Sequence, residues 1–118
     1  MPWRSCSALL ATVAFAGCGT TPDDRPQTFE YITLEVLAPA CGTVACHSTT
    51  TREHGYAFDT LDAAQVSLGQ LVTPGHADSS QLYDVITRTN GVMPPDSPLA
   101  DEDIALIGNW IDAGAPGL

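Results

Sequence analysis

Two cysteines followed at once by a histidine are the residues of this chain best suited to chemistry. They lie in the segment Cys41-Gly-Thr-Val-Ala-Cys46-His47, called the attachment segment below. A cysteine thiol can form a thioether with a vinyl group of haem, and a histidine directly after the second cysteine can bind the iron. The usual motif is C-x-x-C-H, whereas four residues separate the cysteines here. The segment therefore indicates covalent haem binding through a motif with widened spacing.

The beginning of the chain has the features of an export signal. Arg4 supplies a positive charge, and the uncharged stretch after it is too short to span a bilayer, which takes about 20 apolar residues. Residues 15–18 (Phe-Ala-Gly-Cys) then resemble a bacterial lipobox, in which the peptide is cut before the cysteine and lipid is attached to it. We predict a lipoprotein signal peptide over residues 1–17 and lipidation of Cys18. The alternative is ordinary cleavage near Ala16, which leaves a free thiol.

This prediction leaves few cysteines for the mature chain. Cys6 leaves with the signal peptide and Cys18 carries lipid, so only the pair in the attachment segment remains. A plain disulfide between these two is one alternative to haem. Another is a zinc site that adds His47 and His54, because structural zinc takes four nitrogen or sulfur ligands. Either alternative describes an extracytoplasmic binding module without redox function.

Acidic residues dominate the charge of the chain. There are 14 aspartates and glutamates against four basic residues, and the net charge is -10. Such a surface repels nucleic acids and attracts partners with a basic docking surface. We therefore exclude DNA and RNA binding and expect a basic partner protein.

A short tether and one helical domain follow the signal peptide. Residues 18–27 contain two prolines and no apolar residue after Cys18, which is typical of a flexible tether. Residues 28–118 contain no useful run of alternating apolar and polar residues, so the predicted domain is all-α. A domain of this size has a marginal hydrophobic core, and a large apolar cofactor such as haem would complete it.

Four helices are predicted in this domain. The first follows Thr28 as N-cap and ends at Pro39, and a second spans residues 61–68 until Gly69 stops it. A third is capped at Asp78 or Ser79. The last begins at three consecutive acidic residues and ends at a glycine. The predicted apolar faces are Phe29, Ile32, Val36 and Leu37 in the first helix and Ile104, Ile107, Trp110 and Ile111 in the last.

Met93 is the candidate for a second iron ligand. It lies between the last two predicted helices and is followed by two prolines, so its thioether is held in a stiff loop rather than on an apolar helix face. His54 and His76 are alternative ligands, which would give bis-histidine iron. We expect both of these histidines to lie in solvated loops.

Three blocks of sequence carry a family resemblance. They are residues 37–47, residues 72–83 and residues 91–115. In this order they resemble a small class I cytochrome c domain of bacterial lipoproteins and secreted proteins, over essentially all of residues 28–118. The resemblance implies short helices with long loops around one covalent haem c, and a last helix that packs across the first. It implies the following site: thioethers at Cys41 and Cys46 and iron ligands from His47 and Met93.

The function implied by this resemblance is electron transfer. With both axial positions filled by protein, the iron has no open position for a substrate, and a peroxidase-like activity would require displacement of Met93. No nucleophile–base pair, carboxylate dyad or phosphate-binding loop in the sequence points to an enzyme. We therefore predict a one-electron carrier, lipid-anchored to a bacterial membrane and facing the periplasm or the cell surface.

Overall fold

The computed structural model describes residues 23–87 and 91–118 of the chain. The predicted signal peptide and Cys18 lie outside these residues. Within them the chain forms four helices, joined by long loops and two short 3₁₀ turns, and it has no strand. The predicted all-α fold is therefore confirmed. None of the helices in this part of the chain has the length and hydropathy that a membrane span requires.

Helix α1 consists of three consecutive segments, Phe29–Tyr31, Ile32–Leu37 and Ala38–Ala40, of which the middle one is a π-helix. Thr28 caps it as predicted, since its hydroxyl accepts the Tyr31 N–H at 3.2 Å. The four residues of the predicted apolar face are all buried. The helix continues one residue past Pro39, where it was predicted to end. A proline ring crowds the carbonyl four residues earlier in an α-helix, and the wider π turn before Pro39 relieves this crowding.

Helices α2 (Leu61–Leu71) and α3 (Gln81–Ile86) follow. Thr60 caps α2 by accepting the Ala63 N–H at 3.2 Å. The helix does not stop at Gly69, because an exposed glycine costs a helix only about 1 kcal/mol, and continuing it buries Leu71. The N-cap position of α3 is Ser80, one or two residues later than predicted. The preceding residues form a 3₁₀ turn, Ala77–Ser79.

Helix α4 spans Asp101–Asp112 and contributes six buried residues to the core. Its apolar stripe is buried as predicted, with Trp110 fully enclosed. The Trp110 Nε1–H donates to the Pro116 carbonyl at 3.1 Å, and the Phe29 N–H donates to the same carbonyl at 3.3 Å. Gly117 also lies against Phe29, since a Cβ at that position would be 2.9 Å from the Phe29 Cβ. The beginning of α1 is therefore joined to the segment that follows α4.

The end of the predicted tether is attached to the same helix. The Arg25 guanidinium lies 2.8 Å from the Asp23 carboxylate and 2.5 Å from that of Asp103, and it donates to the Glu102 carbonyl at 3.1 Å. The bonds to Asp23 and Asp103 raise the pKa of Arg25 above its usual value. This contact, called the Arg25 contact below, joins the tether to the first turn of α4.

Candidate haem site

One cavity brings the predicted haem-binding residues together. It has a volume of about 560 Å³, within the range of about 300–1,000 Å³ that is usual for small-molecule sites. Cys41, Cys46, His47 and Met93 all line it. Most of the remaining wall is apolar and includes Phe58, Leu71, Leu82, Val85, Ile86 and Val92. The cavity thus joins the four predicted side chains in a largely apolar environment.

The attachment segment forms a loop whose ends meet. The His47 N–H donates to the Cys41 carbonyl at 2.9 Å, and the Cys46 N–H donates to the Thr43 carbonyl at 2.9 Å. Thr43 and Val44, at the tip of the loop, are exposed and do not line the cavity, whereas Ala45 is exposed at its wall. The tip of the widened loop therefore lies outside the cavity.

Gly42 is enclosed at the beginning of this loop. A Cβ at this position would lie 2.9 Å from the Ala38 carbonyl oxygen and 3.0 Å from the Asp59 backbone nitrogen. Real Cβ atoms essentially never lie closer than about 3.0 Å to such atoms. Only glycine allows the end of α1 to approach the segment before α2 this closely.

Both thiols beside the cavity are free. Cys41 is buried, Cys46 is partly buried, and no disulfide joins them in the structure. Burial raises the pKa of Cys41 to about 11, with a smaller contribution from the charge of Cys46. The Cys41 thiol is therefore protonated at neutral pH.

The ring of His47 is positioned by two aromatic side chains. Its centroid lies 5.4 Å from that of Phe58, in an edge-to-face arrangement, and 6.3 Å from that of Tyr56. The backbone reinforces this packing, because the Phe58 N–H donates to the His47 carbonyl at 2.7 Å. Among the described residues, no hydrogen-bond partner reaches the buried Nδ1 of His47. His47 thus lines the cavity with Nδ1 enclosed by protein, and an imidazole at the wall of an apolar cavity fits a role as a metal ligand.

Met93 reaches the cavity from the loop between α3 and α4. The N–H groups of Val92 and Met93 both donate to the Val85 carbonyl at 3.0 Å. This pair of bonds fixes the loop to the end of α3. Met93 itself is partly buried, and two prolines follow it. The donor set of two thiols, an imidazole and a thioether fits a covalently bound, hexacoordinate haem.

The competing histidines occupy different positions. His54 is at the edge of the cavity, where its side chain is 72% exposed and Nε2 lies 3.6 Å from the Glu53 carboxylate. His76 is exposed and does not line the cavity. A zinc site would need a cluster of ligands, and residues 23–87 and 91–118 contain no group of three or more His, Cys, Asp and Glu side chains arranged to hold a metal ion.

Sequence reasoning missed the residues that support the attachment segment. Asp59 accepts the Thr49 backbone N–H at 2.8 Å and the Thr49 hydroxyl at 2.9 Å, and the backbone bond is the main reason why the pKa of Asp59 lies below its usual value. Tyr56 and Phe58 were likewise not assigned to the site. The sequence does carry one local signal, a run of four hydroxyl-bearing residues directly after His47.

Comparison with known proteins points to the class of domain that the sequence resembles. A model of the family described as Planctomycete cytochrome C matches residues 44–97, slightly under half of the chain. The match supports a cytochrome c-like domain. It includes Cys46, His47 and Met93 but begins three residues after Cys41. No curated protein and no solved structure matches the chain. The four helices of the described residues are consistent with a small, all-α domain of this kind.

Proposed function

We propose that this protein is a c-type cytochrome that carries one electron at a time. Cys41 and Cys46 would hold one haem c through thioethers, and His47 and Met93 would ligate its iron. The observation that carries the proposal is the convergence of these four side chains on one largely apolar cavity. The match to a cytochrome c family model over residues 44–97 supports it independently.

When bound, haem supplies an iron that alternates between the ferric and ferrous states. The protein residues determine how the site behaves. His47 is oriented by Phe58, and Met93 is held by its backbone bond to Val85. With both ligands in place no coordination position is open, which favours electron transfer over catalysis. The largely apolar wall lowers the polarity around the iron, and a methionine ligand favours the reduced state.

The mature protein is proposed to act outside the cytoplasm. Lipid on Cys18 would anchor it to a bacterial membrane, and residues 18–27 would hold the domain close to that membrane. The net charge of -10 favours a redox partner with a basic docking surface. Replacement of Cys18 by alanine should move the protein from the membrane fraction to the soluble fraction, whereas an unchanged distribution would contradict the anchor.

A pyridine haemochrome spectrum tests the haem directly. The protein is expressed together with cytochrome c maturation machinery, and wild type is compared with Cys41→Ala. We expect wild-type haem to resist acid–acetone extraction and to give the pyridine haemochrome spectrum of a haem with two thioethers. The haem of Cys41→Ala should give the spectrum of a haem with one thioether. A colourless wild-type protein that contains zinc, or one whose haem is fully extracted, would contradict the proposal.

A further inference from the structure

The run Ser48-Thr49-Thr50-Thr51 directly follows the attachment segment. None of its residues has a role in the function proposed above. Three of its hydroxyls make hydrogen bonds. Ser48 Oγ accepts the Thr51 N–H at 3.2 Å, and Thr49 Oγ1 donates to the Asp59 carboxylate at 2.9 Å. Thr51 Oγ1 donates to the Val44 carbonyl. This last bond connects the run to the exposed tip of the widened loop.

The loop needs such a connection because its spacing is wide. Each residue added between the cysteines contributes two soft backbone dihedrals and therefore conformational freedom. Packing cannot remove that freedom at the tip of the loop, since Thr43 and Val44 are exposed, with Val44 at 74%. A loop with free conformations at its tip would spend part of its time with Cys41 and Cys46 wrongly placed relative to each other.

Thr51 is itself held firmly enough to serve as an anchor. Its N–H is bonded to Ser48 Oγ, and the Arg52 N–H on its far side donates to the Ser48 carbonyl at 2.8 Å. One residue further on, the Glu53 N–H donates to the Cys46 carbonyl at 3.1 Å. The backbone around Thr51 is therefore fixed to both the end of the attachment segment and the turn that follows it.

We propose that Thr51 is a positioning residue for the widened attachment loop. Its hydroxyl holds the Val44 carbonyl and so restrains the span between Cys41 and Cys46 at which both thiols line one cavity. The role rests on the proposed function, because it concerns how the chain presents two thiols to one haem. Thr51 does not line the cavity.

Three variants of the full-length protein, matured with haem, test this role. Thr51→Val removes the hydroxyl and keeps the branched shape, Thr51→Ser restores a hydroxyl, and Thr50→Val makes the same chemical change at the exposed neighbour. The fraction of protein with one rather than two thioethers is measured from the pyridine haemochrome spectrum and from peptide masses around Cys41 and Cys46. Urea unfolding reports overall stability separately.

We expect Thr51→Val to raise the singly attached fraction about fivefold, the shift in a local equilibrium that loss of one ordinary hydrogen bond produces. Thr51→Ser and Thr50→Val should resemble wild type. An equal attachment ratio in Thr51→Val and Thr50→Val would overturn the role of Thr51 and leave the cytochrome proposal intact. A fall in unfolding midpoint with no change in the ratio would also overturn it. Wild-type protein without covalent haem would overturn both proposals.

Discussion

Nδ1 of His47 and Oγ1 of Thr33 are both buried without a hydrogen-bond partner within the described residues. The first belongs to the ring of the proposed iron ligand, which lines the cavity. The second lies in the π segment of α1 and does not line the cavity. A buried polar atom without a partner therefore belongs to a candidate site in one case and lowers the stability of the fold in the other. The surroundings of each atom distinguish the two.

Replacement of Thr33 by valine should stabilise the domain. Valine keeps the branched shape and removes a hydroxyl whose burial is not compensated, so we expect the free energy of unfolding to rise by about 1 kcal/mol. Thr28→Val is the matched control: it removes a hydroxyl that caps α1, and we expect a loss of about 1 kcal/mol. Urea unfolding of both variants measures the difference. A stability loss in Thr33→Val would show that its hydroxyl has a partner.

Met93 should set the redox potential of the proposed haem. Met93→His replaces a thioether by an imidazole, and we expect the reduction potential to fall by on the order of 0.1 V. His54→Ala is the control, because the ring is largely exposed at the edge of the cavity. Potentiometric titration followed in the visible spectrum measures both. If His54→Ala shifts the potential and Met93→His does not, His54 rather than Met93 ligates the iron.

At the scale of elements, the site depends on the junction between α1 and α2. The attachment segment leaves α1 at Cys41, and the residues around Phe58 lead into α2 while they pack against His47. Ser67 of α2 holds this second segment, since its buried hydroxyl accepts the Ala57 N–H at 2.9 Å. The two helices therefore place the histidine indirectly, through the loops that connect them.

Gly42→Ala should disrupt this junction. The new methyl group would meet backbone atoms of Ala38 and Asp59, which no side-chain rotation can move away, so we expect a stability loss of about 1–3 kcal/mol and less covalent haem. Gly69→Ala makes the same change in α2, where a Cβ has no neighbour within 4 Å. That variant should gain up to about 1 kcal/mol. Unfolding curves with opposite shifts would support the argument, and similar shifts would contradict it.

Local signals in the sequence predicted the helices well, and tertiary contacts explain most of the differences. Thr28 and the apolar face of α1 were identified because a cap and a helical period are readable within a few residues. The extension of α2 past Gly69 depended on burial of Leu71, which is a contact with the rest of the fold. The supports of the site, such as the bond from Thr51 to Val44, likewise join residues whose proximity no local pattern reveals.

At the scale of the whole molecule, the Arg25 contact joins the tether to the domain. The side chains of Arg25 and Asp103 are 31% and 28% exposed, so the ion pair is partly screened by water. Pairs of this kind contribute little to overall stability. The consequence is positional: residues 23–27 are held near the first turn of α4, so only the residues before them remain to connect the domain with Cys18.

Loss of the Arg25 contact should release residues 23–27 with little cost to the fold. For Arg25→Gln we expect a decrease in the free energy of unfolding of less than about 1 kcal/mol, smaller still at high salt. Backbone amide exchange in residues 23–27 should become faster. Asp103→Asn should give the same result, and Arg52→Gln should leave that segment unchanged. Exchange measured by mass spectrometry at low and high salt compares the variants, and slow exchange that persists in Arg25→Gln would contradict the prediction.

The bond between the Phe29 N–H and the Pro116 carbonyl places the beginning of α1 beside the segment that follows α4. Neighbouring ends are the condition under which a domain tolerates circular permutation or insertion into another protein. A short linker from Leu118 to Thr28 could close the domain into a ring, because Pro116 and Phe29 are already hydrogen-bonded. Any chain fused after Leu118 would emerge beside the point at which the tether enters.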